Sequence, residues 1–118
     1  MGSANVNYGV SLPSPPMTRL PSPPMPTYDR EPHFLRDWDR LTRAQQARFM
    51  AVIPKFVGGL VSGDMPAGLR VKRVQGTDDD FEMTWAPDGR ATFRYGNEVR
   101  PGDPHIIWLR IGTHAIFD

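Results

Sequence analysis

The chain has 118 residues, with 14 basic and 13 acidic side chains, 13 prolines and no cysteine. Without cysteine there is no disulfide, no thiolate metal site and no cysteine nucleophile, a composition that fits a reducing, cytoplasmic compartment. No apolar run approaches the ~20 residues of a membrane span, and no basic-then-apolar leader opens the sequence, so neither membrane insertion nor export is expected. The length suits one small domain. Because positive and negative charge nearly cancel, a nucleic-acid role would have to rest on local arrangement.

Residues Met1–Thr27 hold seven of the prolines and no acid, and the hexapeptide LPSPPM occurs twice, at Leu12–Met17 and Leu20–Met25. Such a stretch buries too little apolar surface to offset the entropy of ordering it, so residues 1–27 are expected to form a disordered, polyproline-like tail. Its composition is compatible with a bland tail and with a ligand for an SH3-type groove. Met1, Met17 and Met25 are alternative starts. The folded domain is then expected over residues 28–118.

From Glu31 to Leu41, Phe34 or Leu35, Trp38 and Leu41 recur at helical spacing, with Pro32 in the first turn and Arg36, Asp37, Asp39 and Arg40 on the polar face. Thr42 and Gln45 have the spacing of a capping box, which starts a second helix. Its apolar stripe is Phe49, Ile53, Phe56 and Leu60, flanked by Met50 and Val57. Pro54 should kink it, and Ser62-Gly63 should end it. We expect an αα-hairpin whose stripe covers a sheet.

Leu69–Val74 (LRVKRV) reads as a short basic extended segment, followed by an acid-rich turn at Asp78-Asp79-Asp80. Three strands are expected at Phe81–Ala86, Arg90–Tyr95 and His105–Ile111, the first two joined by a Pro87-Asp88-Gly89 turn. Simple alternation places Phe81, Met83, Trp85, Ala91, Phe93, Tyr95, Ile107, Leu109 and Ile111 on the buried face. The opposite face then displays Glu82, Arg90, Thr92, Arg94, Trp108, Arg110 and His114. Three guanidiniums, an imidazole and an indole on one sheet face suggest a surface for phosphates and bases. His33 and His105, beside prolines at element starts, read as structural. The histidines are far apart and the acids are not spaced as ligands, so no metal site and no cofactor are expected.

The order of a helical hairpin, a basic LRVKRV segment and a meander containing DGRATFRYG and HIIWLRIGTHAIF resembles the RelE/ParE superfamily of toxins from type II toxin–antitoxin systems. The resemblance covers roughly residues 28–118. It implies an α+β fold with an N-terminal αα-hairpin on a small, mostly antiparallel sheet. It further implies, in the RelE branch, an mRNA-cleaving endoribonuclease that blocks translation, often on the ribosome, held in check by a cognate antitoxin. In the ParE branch it implies a poison of DNA gyrase. Arg90 corresponds to the arginine that opens the family's middle strand, and His114 to its Arg or His after the last strand. Lys72 and Arg73 correspond to its basic segment. Phe117 falls where many members have tyrosine, so it can stack on a base but cannot exchange a proton.

Cleavage through the 2′-hydroxyl needs a base, cationic donors for the phosphorane and an acid. On this reading His114 transfers protons, Arg90 and Arg110 stabilise phosphate, and Lys72, Arg73, Arg94, Trp108 and Phe117 hold substrate. An inactive interaction protein of the same fold remains the third alternative.

Overall fold

In the computed structural model, which describes residues 25–117, the chain runs β1 (Thr27–Arg30), α1 (Pro32–Arg40), α2 (Arg43–Ser62), β2 (Lys72–Arg73), β3 (Phe81–Ala86), β4 (Gly89–Tyr95) and β5 (His105–Thr113). Single 3-10 turns at Ala67–Leu69 and His114–Phe117 lie before β2 and after β5. The expectations for residues 1–24, including the first LPSPPM copy and the starts at Met1 and Met17, lie outside the described residues.

Local signals set the helix ends. Pro32 occupies the first turn of α1, where its missing N–H costs nothing. Thr42 Oγ1 accepts from the Gln45 N–H at 3.1 Å while Gln45 Oε1 accepts from the Thr42 N–H at 2.8 Å, closing the capping box in front of α2. Pro54 lies inside α2, and the helix ends on Gly63 in the left-handed conformation, whose N–H bonds the Gly59 carbonyl.

The strands form one sheet in the order β1-β5-β4-β3-β2, with β1 parallel to β5 and every other pair antiparallel. Phe34 of α1 and Phe49 and Phe56 of α2 close over Met83, Trp85, Ala91, Phe93, Ile106, Trp108 and Ile111. Burying each large apolar side chain is worth roughly 1.5–3 kcal/mol. Edge-to-face and tilted ring pairs run continuously from Trp38 through Phe49 and Trp108 to Phe93.

Three features depart from expectation. First, β1 carries no alternation in TYDR, is mostly exposed, and includes Thr27, which had been assigned to the tail. It is held by backbone pairing to β5 and by His105, whose Nδ1 lies 2.7 Å from Thr27 Oγ1 and whose Nε2 lies 3.0 Å from Asp29 Oδ2.

Second, simple alternation fails in β5. Thr92 pairs with Arg110 but Phe93 pairs with Trp108, so Leu109 is an extra, bulged residue. The bulge turns Ile106 and Trp108 onto the helix-covered face beside Ile111 and leaves Ile107 and Arg110 on the other. Trp108 is therefore a core residue, 6 % exposed, and offers no open face to a base.

Third, Asp37 belongs to the interior. The helix-wheel reading placed it on the polar face of α1, yet it is 5 % exposed. Its carboxylate accepts the Ile111 N–H at 3.1 Å at the β5 edge, beyond the reach of β1.

Candidate nucleic-acid interface

Strand pairing decides which predicted residues meet. Arg90 pairs with Gly112, Gly89 with Thr113 and Thr92 with Arg110, so Arg90 and Arg110 leave neighbouring strands on the same, non-helical side, close to the turn that holds His114. The hairpin turn between β3 and β4 organises this end. Arg90 Nη1 donates back to the Gly89 and Pro87 carbonyls at 3.0 and 3.4 Å, and the His114 N–H donates to the Asp88 carbonyl at 3.0 Å. Arg90 and His114 thus share one turn as their scaffold.

Glycine at 89 is required by close approach. A Cβ there would stand 2.5–2.8 Å from the Trp85 ring, a rigid neighbour that cannot yield. Trp85 is itself the extra residue of a second bulge, since Thr84 pairs with Arg90 but Ala86 pairs with Gly89.

The other predicted cations are paired. Arg110 Nε donates to Asp37 Oδ2 at 2.6 Å and its Nη2 to Oδ1 at 3.2 Å, a two-pronged bond to a buried carboxylate. Burial alone would push the Asp37 carboxyl up. The hydrogen bonds from Arg110 and from the Ile111 N–H, with the charges of Arg110 and of His33, outweigh it and hold the group below the ordinary carboxylate value. Lys72 Nζ lies 3.7 Å from Glu82, and Arg94 Nη2 lies 3.1 Å from Asp80. Arg73 stands over the Phe81 ring at 5.7 Å. Phe117 closes the last 3-10 turn, and its side chain lies outside the described part of the structure.

Charge without an ion partner gathers elsewhere. A cleft of 480 Å³ opens where α2 and the 66–70 loop face the β3–β4 turn, and Arg48, Lys55, Arg70 and Arg90 all line it. None of the four forms an ion pair with another described residue, and no acidic side chain lines the cleft. Arg48, Val52 and Lys55 sit at i, i+4 and i+7 of α2, a polar-edged stripe beside the Phe49–Phe56 stripe. That spacing was readable in the sequence. Their convergence with Arg70 and Arg90 was not, because it depends on the path of the 63–71 connection. Among the described residues no group of three or more His, Asp or Glu is placed to hold a metal.

Such an architecture defines a class. Over the described residues the chain has the RelE-like fold, with a five-stranded mixed sheet and two α-helices on one face. It superposes on a copper-bound mutant toxin from Helicobacter pylori with a TM-score of 0.57 at 19 % identity, covering 80 % of this chain and all of that one. The Escherichia coli DinJ–YafQ toxin–antitoxin complex gives a TM-score of 0.53 at 17 % identity over 80 % of this chain and 97 % of the matched one. The RelB–RelE antitoxin–toxin complex from Methanococcus jannaschii gives 0.51 at 14 % identity over 75 % and 92 %. No protein-family model and no curated protein sequence matches the chain.

Proposed function

We propose that the protein is a RelE-like toxin that cleaves mRNA, as a metal-independent endoribonuclease working on translated message at the ribosome. The observation that supports this reading is the pairing of β4 with β5, in which Arg90 and Arg110 leave neighbouring strands on one side and the β3–β4 turn bonds the His114 N–H. RNA supplies its own nucleophile, so the protein needs only charge and proton transfer. The 2′-oxygen gives its proton to a base and bonds to the adjacent phosphorus. The bond from phosphorus to the 5′-oxygen breaks, and that oxygen takes a proton from an acid. His114 serves in proton transfer, and Arg90 and Arg110 face the phosphorane oxygens.

Asp37 then acts as a positioning residue. It holds the Nε and Nη2 edge of Arg110 and leaves Nη1 without a bond to any described residue. Lys72, Arg73 and Arg94 retain substrate-holding roles around the β2–β3 end. The partner is a cognate antitoxin that covers the basic face and so silences it. The toxin–antitoxin complexes formed by the DinJ–YafQ and RelB–RelE neighbours support this.

The test is induced expression in a bacterial host with mapping of mRNA 5′ ends, beside Arg90→Ala and His114→Ala variants shown to be folded. New ends within translated frames, absent from both variants, are expected. Growth arrest with intact mRNA would overturn cleavage in favour of a gyrase-directed toxin, and no growth effect from soluble protein would favour an interaction protein.

A further inference from the structure

Four observations meet in the cleft between α2 and the β3–β4 turn. Its cations, Arg48, Lys55, Arg70 and Arg90, face no acidic wall. The Trp85 indole forms part of that wall and is 4 % exposed, and its Nε1–H is buried without an acceptor. Arg70 holds the left-handed conformation at φ 49°, a strained state for a residue with a side chain. Val52, Leu69 and Pro66 add apolar wall, and Thr84 a hydroxyl-bearing one.

A folded chain gains nothing for its own stability from gathering cations where no acid faces them and from holding a strained backbone among them. An unpaired buried donor is costly, and like charges repel. The arrangement suits an anion that carries a flat apolar part, and 480 Å³ falls within the usual range of ligand pockets.

We infer that this cleft holds one phosphate-bearing nucleotide unit of a single RNA strand, at a step along the backbone away from the bond that reacts. Arg90 belongs to both surfaces and would link them. The inference rests on the RNA reading above, extending it to Arg48, Lys55 and Arg70.

The test uses the full chain labelled with ¹⁵N at the tryptophan indoles, the Trp85 signal being assigned by its loss in Trp85→Phe. A 2′-O-methyl hexanucleotide, which cannot be cleaved, and pyrophosphate are titrated separately. Both are expected to move the Trp85 indole signal while those of Trp38 and Trp108, which do not line the cleft, stay in place. In Arg48→Gln/Lys55→Gln the hexanucleotide should bind at least tenfold more weakly, and its log–log salt dependence should flatten by about one to two, with melting unchanged. In Arg70→Gly affinity should fall although the melting temperature does not.

A Trp85 signal unmoved by the hexanucleotide overturns the inference, as does equal affinity in the double variant. A response to pyrophosphate alone overturns the strand-holding role and leaves a free-anion pocket. The two readings fail separately. Trp85-linked binding in a protein that generates no new mRNA ends removes cleavage and keeps the cleft, whereas new ends with unaltered binding by the double variant remove the cleft and keep cleavage.

Discussion

The two basic surfaces that meet at Arg90 are built in opposite ways. On the open side of the sheet, Lys72 faces Glu82, Arg94 faces Asp80 and Arg110 is gripped by Asp37. In the cleft beside it, Arg48, Lys55 and Arg70 form no ion pair with any described residue. Pairing fixes a guanidinium in space at the cost of part of its field, while leaving it unpaired keeps the field and forgoes the fixing. Arg110, aimed at a reacting phosphate, benefits from the first, and the cleft of Arg48, Lys55 and Arg70 from the second.

The largest effect that should sharpen this comparison comes from Asp37→Ala. It strips the partner from Arg110 and leaves the Ile111 N–H unpaired, and should cost about 2–3 kcal/mol in urea denaturation. A cost under about 1 kcal/mol would mean that the pair is merely decorative. The same group predicts an acid limb. Its folded-state pKa lies below the unfolded value, so its stabilisation is present above about pH 4 and is lost as pH falls through the folded value. Melting temperatures from pH 6 to pH 2 should show this decline, and Asp37→Asn should flatten it.

Gly89→Ala comes next. The new methyl group must enter the space of the Trp85 ring, and overpacking of this kind costs about 1–3 kcal/mol. The Trp85 indole signal should shift with it, whereas a neutral outcome would show that the turn can yield. The smallest effect is expected at Lys72→Gln, since Lys72 is 70 % exposed and its pairing with Glu82 should be worth no more than about 0.5 kcal/mol by thermal melting.

Much of the frame was legible. The Thr42–Gln45 capping box, the Gly63 stop, the Phe49–Phe56 stripe and three of the five strands follow from short-range chemistry that the residues carry themselves. β1 was not legible, because TYDR becomes a strand only when β5 offers it an edge. The bulge at Leu109 was equally hidden, since nothing in HIIWLRIGT marks which residue will go unpaired, and one unpaired residue moved Trp108 from the open face into the core. At the site, Lys72, Arg73, Arg90, Arg94 and Arg110 were visible as a set, while Arg48, Lys55 and Arg70 were not. Their division into paired and unpaired groups was not, because Asp37 and Arg110 stand 73 positions apart and meet only in the fold.

The position of β5 has a consequence for how the chain is made. β5, the last strand among the described residues, is also the one inserted between β1 and β4, and its contacts with β1 join residues 78 positions apart. The sheet therefore cannot close until β5 has been made, and high contact order of this kind slows folding. Arg90 acquires its neighbours Gly112 and Thr92–Arg110 only after β5 is delivered. A nascent chain that has not yet delivered β5 thus carries its arginines in sequence but not in register.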